Sequence, residues 1–335
     1  MPRGTKRALS PSPEKGAQET STKAKKLKLL AEHSVATPFP DFAHPTATEA
    51  YQVHSVLRAA HPDIRATPRP ASKDANAART CGGVPNVLES LIGTILSQNT
   101  TGKNSTAAKH SLDKAFGRNN FEAIATVEKG AVVEAIRMGG LANKKAEVIQ
   151  KILGEVKDRH GTYSLQHLAN VVKQEPGVED VKKEDTKTGK IYTDEEVMRE
   201  LVSYGGVGPK TASCVLLFCL GRESFPVDTH VFRLSKLLGW VPAKADRITA
   251  QAHLDLTIPN ELKYGLHVLM VGHGRRCKGC RGKGDCPLKT WLRSKKDVGL
   301  DDQKLETIAS EIDQEVDQEQ TAADEDEGAV GVKSE

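Results

Sequence analysis

Aromatic residues are scarce in this sequence, and long apolar runs are missing from it. Phe, Trp and Tyr together make up 4% of its 335 residues. No stretch contains the roughly 18 consecutive apolar residues that a membrane-spanning helix requires, and the first thirty residues have no apolar signal core. We therefore expect a soluble, intracellular protein with no membrane partner. Apolar residues that recur at helical spacing, with frequent glycine and alanine, favour an α-rich fold.

The pattern of cysteines argues against a disulfide framework. The six cysteines are Cys81, Cys214, Cys219, Cys277, Cys280 and Cys286. Their clustering near the end of the chain is more typical of metal chemistry than of cross-links. In particular, Cys277-x2-Cys280-x5-Cys286 has the close spacing that lets thiolates converge on one metal centre.

The net charge of +4 conceals a strong segregation of charge along the chain. Residues 1–30 carry +6, residues 31–296 carry +10 and residues 297–335 carry −12. A basic body suits a polyanionic partner, because cationic side chains release counterions when they bind nucleic acid. The Arg and Lys residues between positions 275 and 283 are denser than a merely solvated surface requires.

Both ends of the chain have the composition of disordered tails. Residues 1–45 are rich in Pro, Ser, Thr and Lys, and residues 297–335 are acidic and poor in apolar residues. Basic clusters at residues 6–7 and 23–28 indicate a nuclear localisation signal or a nucleic-acid-binding arm. Acidic residues within the first twenty positions argue against a mitochondrial transit peptide. We expect a nuclear protein.

The most informative stretch is Tyr204–His230, which reads YGGVGPKTASCVLLFCLGRESFPVDTH. Apolar spacing predicts a helix over 195–202, with Asp194 as its N-cap, before a glycine turn at 206–208. Pro209 suits the first position of a second helix, since its missing N–H costs no hydrogen bond there. Glycines and the positive end of a helix dipole together favour a bound phosphate.

Two side chains in this stretch could perform chemistry. Lys210 lies in the first turn of the second helix, where the dipole disfavours a protonated amine, and Asp228 follows after a short loop. Taken singly, Lys210 is more simply a solvated lysine and Asp228 an N-cap. Taken together with the glycine turn, they bring an amine nucleophile and a carboxylate to a phosphate-binding element.

These residues resemble the helix-hairpin-helix DNA glycosylase superfamily (HhH-GPD), and within it the endonuclease III-like branch. The matching segments are Gly206-Val207-Gly208, Lys210-Thr211-Ala212 and Val227-Asp228-Thr229-His230, whereas Tyr204-Gly205 replaces the usual Leu-Pro. The resemblance implies an all-α, two-lobed fold with DNA in the cleft. It places a six-helix barrel at 82–222, with a surface insertion at 173–193. The second lobe comprises 46–81 and 223–296, including the cysteine-rich loop.

The resemblance also implies residues that contact DNA. Gln98 or Asn99, at the end of a predicted helix, would fill the gap left by an extruded base, with ordinary helix capping as the alternative. Lys145, in a Gly-Leu-x-Asn-type loop, would approach the DNA backbone. The hairpin residues Gly206, Val207 and Gly208 would hold a phosphate, and His230 completes the DNA-binding set.

The activity implied is that of a bifunctional DNA N-glycosylase and AP lyase of base-excision repair, acting on oxidised pyrimidines in double-stranded DNA as a monomer. Lys210 would be the nucleophile and Asp228 its supporting carboxylate. A glycosylase for 5-methylcytosine or 8-oxoguanine is an alternative within the superfamily. A non-catalytic helix-hairpin-helix DNA-binding protein is an alternative of another class, although such a module needs neither Lys210 nor the Val-Asp-Thr-His segment.

The cysteine cluster departs from the pattern of the endonuclease III-like branch. That branch carries four cysteines, and the one expected upstream of Cys277 is absent, because Cys277 follows His273-Gly274-Arg275 almost at once. A conventional [4Fe–4S] cluster requires four thiolates, so we do not expect one. A degenerate iron–sulfur site, a Cys3His zinc site that uses His273, and a loop without metal all remain open.

Overall fold

The computed structural model describes residues 36–68, 84–169, 191–282 and 284–295, and within these ranges its regular structure is entirely helical. The prediction of an all-α fold is confirmed. In chain order, the α-helices of the described residues are α1 Ala47–Ala60, α2 Val87–Leu96, α3 Gly102–Phe116, α4 Phe121–Thr126, α5 Lys129–Ile136, α6 Ala142–His160, α7 Asp194–Ser203, α8 Pro209–Phe218, α9 Thr229–Leu237, α10 Arg247–Thr257, α11 Asn260–Arg276 and α12 Pro287–Ser294. None of them combines the length and the hydrophobicity needed to cross a bilayer.

Apolar side chains form two separate cores in the described residues. One core collects the buried faces of α2 to α8, and it includes Tyr204 and Val207 of the hairpin. The other combines α1 with α9 to α12 and contains Trp240, which is fully buried. The chain passes from the first core to the second between α8 and α9. The domain boundaries drawn from the sequence remain a prediction.

The folded body begins earlier than the predicted end of the N-terminal tail. Phe39 is buried in the second core, and its ring lies edge-on to the ring of His253 on α10, with centroids 5.5 Å apart. The same imidazole is 2.6 Å from the Thr37 hydroxyl through Nδ1 and donates through Nε2 to the His44 carbonyl at 2.6 Å. Residues 36–45 therefore pack against α10, which corrects their assignment to a disordered tail.

Several expectations lie outside the described residues. They concern Cys81, the two basic N-terminal clusters, the insertion as far as residue 190 and the acidic C-terminal tail. Where the structure resumes, Thr193 is the N-cap of α7 and forms a reciprocal capping box with Glu196. This corrects the expected N-cap, Asp194, by one residue.

The hairpin packs closely against α6. Tyr204 is buried, its hydroxyl is 3.0 Å from His160 Nε2, and the Arg159 guanidinium lies 4.5 Å from its ring centroid. Gly206 adopts a φ of 82°, and a Cβ added there would lie 2.6 Å from the Val148 side chain. Glycine is therefore required at position 206 by both backbone conformation and close packing.

Gly206→Ala is expected to lower the free energy of unfolding by about 1–3 kcal/mol, because the added methyl group strains the backbone and collides with Val148. Gly208→Ala is the matched control. Gly208 has a φ of −102°, and no atom lies within 4 Å of an added Cβ. Urea unfolding followed by circular dichroism measures both variants, and equal losses would contradict this account of the hairpin.

Candidate active site

The glycine hairpin leads into the partly buried start of α8. Gly206 is exposed, whereas the Val207 side chain is buried and its N–H is donated to the Tyr204 carbonyl at 3.2 Å. The Val207 amide is thus committed to the turn, which corrects the expectation that it would bind a phosphate directly. The N–H groups of Lys210 and Thr211 lie in the first turn of α8, where intrahelical acceptors are lacking and the dipole is positive.

Lys210 is half-buried at the second position of α8, next to a contact between α8 and the end of α2. Gln98 Nε2 donates to Thr211 Oγ1 at 3.1 Å. Asn99 follows with a left-handed φ of 46° and an exposed side chain. The structure thus brings both predicted gap-filling residues beside the start of α8, with Gln98 anchored to it.

Asp228 is the N-cap of α9, and Oδ1 accepts the Val231 N–H at 2.8 Å. Burial would raise the pKa of Asp228. The charges of His267 and Lys210 and the bond from Val231 outweigh it and hold the pKa below its usual range. Asp228 is therefore ionised at neutral pH and feels the charge of Lys210. The capping alternative is correct for one oxygen, and the same carboxylate also experiences the charge of Lys210.

His267 on α11 was missed by the sequence reasoning. Its ring is buried, lies within the electrostatic influence of Asp228 and Lys210, and donates from Nδ1 to the Pro226 carbonyl at 2.8 Å. Burial lowers the pKa of His267 to about 4, so the imidazole is neutral at pH 7 and the positive charge acting on Asp228 there is that of Lys210. No local motif marks this residue, because only the fold brings α11 to the segment before Asp228.

The segment before Asp228 is held by side chains from neighbouring helices. The Phe225 N–H donates to Asp255 Oδ1 at 2.5 Å, and the Val227 N–H donates to Gln251 Oε1 at 3.2 Å. Both acceptors lie on α10, and His267 on α11 binds the carbonyl between them. Buried backbone outside helices requires such partners, and here they fix the position of Asp228.

His230 lies in the first turn of α9, among cationic side chains. Burial lowers its pKa, and the charges of Arg275, Arg233 and Arg281 lower it further, although Asp228 opposes them. Gly274 permits the close approach of α11, since a Cβ there would lie 2.7 Å from the His230 Cβ. Arg275 and Arg281 are exposed beside it. This surface has the charge expected for contact with a nucleic-acid backbone.

Lys145 does not occupy the position expected from the sequence. Its ammonium is buried and donates to the carbonyls of Leu96, at 3.0 Å, and Gly139, at 2.9 Å. Burial lowers the pKa of Lys145 to about 8. The lysine therefore ties the end of α2 to the loop before α6, and its ammonium does not lie at the surface. The expected backbone contact is wrong for this side chain.

The cysteine loop forms a compact group of metal-binding side chains. One ligand atom from each of His273, Cys277 and Cys280 lies within 4.8 Å of the other two. Cys286 Sγ lies 3.5 Å from His273 Nε2. The sequence-predicted cysteines are thus brought together with the histidine that the zinc alternative requires.

A match to a known family covers the hairpin, Lys210 and Asp228. The matching model describes the HhH-GPD superfamily of base excision DNA repair proteins and spans residues 92–259. The chain belongs to the HhH-GPD superfamily. The family resemblance inferred from the hairpin motif is thereby confirmed.

Relatives of this HhH-GPD protein include DNA glycosylases and endonucleases. A candidate DNA glycosylase of Arabidopsis thaliana is 34% identical over 278 residues, which are 75% of this chain and 87% of that protein. Endonuclease III of Sulfolobus acidocaldarius is 28% identical over 200 residues, 59% of this chain and 77% of that protein. An endonuclease III trapped as a covalent intermediate with DNA has a similar fold, with a TM-score of 0.52, 22% identity and coverage of 72% and 93% of the two chains.

Lys145→Met is expected to lower the free energy of unfolding by about 1–3 kcal/mol, because it removes the donor from two buried carbonyls. It should leave the salt dependence of DNA binding unchanged. Arg275 is an exposed cation on the same basic surface as His230. Arg275→Gln should leave the free energy of unfolding unchanged and reduce the slope of log K for DNA binding against log salt by about 0.9. Thermal unfolding and fluorescence anisotropy at several salt concentrations compare the two, and a reduced slope for Lys145→Met would restore its direct role.

Proposed function

We propose that this protein is a bifunctional DNA N-glycosylase with AP-lyase activity, acting on oxidised pyrimidines in double-stranded DNA. The observation that carries the proposal is the electrostatic coupling of the half-buried Lys210, at the start of α8, to the ionised Asp228. A module that only grips the DNA backbone needs a hairpin and exposed cations. It does not need a half-buried amine opposed by a fixed carboxylate.

The reaction begins with extrusion of the damaged nucleotide, because the glycosidic bond is inaccessible inside the base stack. The first-turn amides of α8 hold a DNA phosphate, and Arg275 and Arg281 support the backbone. Asn99 enters the space that the base leaves, since its side chain is exposed whereas Gln98 is anchored to Thr211.

Lys210 first passes its ammonium proton through the Asp228 carboxylate to solvent, and the neutral amine then attacks C1′, so that the bond between C1′ and the base breaks with its electrons leaving on the base. Loss of the amine proton and opening of the sugar give a Schiff base. Removal of a C2′ proton expels the 3′ phosphate and cleaves the strand. The low pKa of Asp228 makes this carboxylate better suited to stabilising positive charge on the sugar than to retaining a proton.

Borohydride trapping on an abasic duplex tests the role of Lys210. The protein should form a covalent adduct with DNA, and Lys210→Gln should abolish it. Lys244→Gln, at an exposed lysine away from the hairpin, is the matched control and should trap normally. Trapping by Lys210→Gln at the control level would refute the assignment.

Asp228→Asn separates the carboxylate's charge from its capping role, because asparagine is an equally good N-cap. We expect base removal to slow by at least about 100-fold with little change in Tm or in DNA affinity. Single-turnover kinetics on duplexes that each contain one modified base measure this effect and identify the substrate. The panel includes oxidised pyrimidines, 8-oxoguanine and 5-methylcytosine, and equal losses of catalysis and stability would reduce Asp228 to a structural cap.

A further inference from the structure

The four potential ligands of the cysteine loop come from three consecutive elements. His273 is on the last turn of α11, Cys277 and Cys280 follow in the loop, and Cys286 immediately precedes α12. His273, Cys280 and Cys286 are buried, and the Cys286 side chain interacts with those of both Cys277 and Cys280. Three of the donors therefore form one compact group, and Cys286 lies beside it against His273.

The size and composition of this group do not fit a [4Fe–4S] cluster. Such a cluster takes four thiolates, which are spread around a cube of iron and sulfur. The loop supplies three thiolates and an imidazole, and one ligand atom from each of His273, Cys277 and Cys280 lies within 4.8 Å of the others. Ligands about 2.3 Å from one tetrahedral ion lie about 3.8 Å apart, which is the spacing that this group approaches.

Outside the four donors, His61 orients the imidazole. His61 Nε2 lies 2.8 Å from His273 Nδ1, and the opposite nitrogen of His273 faces Cys286 Sγ at 3.5 Å. A metal-binding histidine commonly engages its second nitrogen in this way, which fixes both its tautomer and its ring orientation. Because His61 engages Nδ1 of His273, Nε2 of His273 is the nitrogen that faces the Cys286 sulfur.

A buried guanidinium balances the charge of the group. Arg233 of α9 is buried and donates from both Nη1 and Nη2 to Cys280 Sγ, each at 3.3 Å. A buried cation is stable only when an anionic group compensates it. Three thiolates with one divalent ion carry a net charge of −1, which matches the single positive charge of Arg233.

The loop is also short enough to close around a single ion. A Cβ added at Gly279 would lie 2.3 Å from the Asp285 carbonyl, so the two arms of the loop touch between Cys280 and Cys286. A larger residue at position 279 would push these arms apart.

From these contacts we infer that His273, Cys277, Cys280 and Cys286 bind one structural Zn²⁺ in place of an iron–sulfur cluster. Four protein ligands leave no open coordination position, so the ion stabilises the fold and takes no part in the chemistry. It fastens α11 to α12 and, through Arg233, supports α9, the helix that Asp228 caps.

Metal analysis of the full-length protein, purified without chelators, tests the inference directly. We expect one zinc and no iron per chain, and the Co²⁺-substituted protein should show the intense visible bands of a tetrahedral thiolate site. Iron together with the broad visible absorption of a cluster would overturn the inference. So would a protein that retains neither zinc nor iron and does not bind added Zn²⁺ or Co²⁺. These measurements use the unmodified chain and do not depend on whether a variant folds.

Variants locate the ion. His273→Asn and Cys280→Ser should lose zinc, and His61→Phe should weaken zinc binding by about 10–100-fold in competition with a chelator. Cys214→Ser, at a buried cysteine of α8 outside the loop, is the matched control and should retain zinc. His167→Gln tests the other compact group in the described residues, formed by His160, His167 and Glu200. Loss of zinc from His167→Gln, with retention in His273→Asn, would place the ion elsewhere and refute the inference.

Discussion

The structure depends on the position of one carboxylate at the junction between two hydrophobic cores. Asp228 ends the segment that leaves α8 in the first core and begins α9 in the second. One of its oxygens caps α9, and the carboxylate also experiences the charge of Lys210. A half-buried anion is costly unless hydrogen bonds and nearby positive charge stabilise it, and here the Val231 N–H and the charge of Lys210 do so. The capping bond therefore fixes the carboxylate to which the proposed mechanism assigns a role.

The surroundings of Asp228 explain how the segment between the two helical cores is held in place without a sheet. The connecting segment has no regular structure, so its amides and carbonyls need side-chain partners. Asp255, Gln251 and His267 provide them from α10 and α11. On the barrel side, Thr211 receives Gln98, which sets the end of α2 beside Lys210. Lys210 is thus positioned by the core of α2 to α8, and Asp228 by the core of α1 and α9 to α12.

The cysteine loop extends this support to the far side of α9. Arg233 projects from the helix that Asp228 caps and reaches Cys280 Sγ and the Gly274 carbonyl. The last turn of α11 carries His273 toward the cysteine loop and Arg275 toward His230. A single helix end therefore connects the His273, Cys277 and Cys280 group with the basic surface around His230, so a loss of order in the loop would also disturb that surface.

The sequence by itself determined the helical class and the hairpin, and it singled out Lys210 and Asp228 as candidate catalytic residues. These inferences depend on local spacing, turn chemistry and a contiguous motif. The tertiary structure decided what local patterns cannot express. Lys145 was predicted to approach the DNA backbone, but its ammonium is buried and donates to the carbonyls of Leu96 and Gly139. The Val207 amide was expected to face a phosphate and instead closes the turn. His267, His61 and Arg233 carry no motif and acquire their contacts only when distant helices meet, since burial and charge pairing are properties of the assembled core and not of neighbours along the chain.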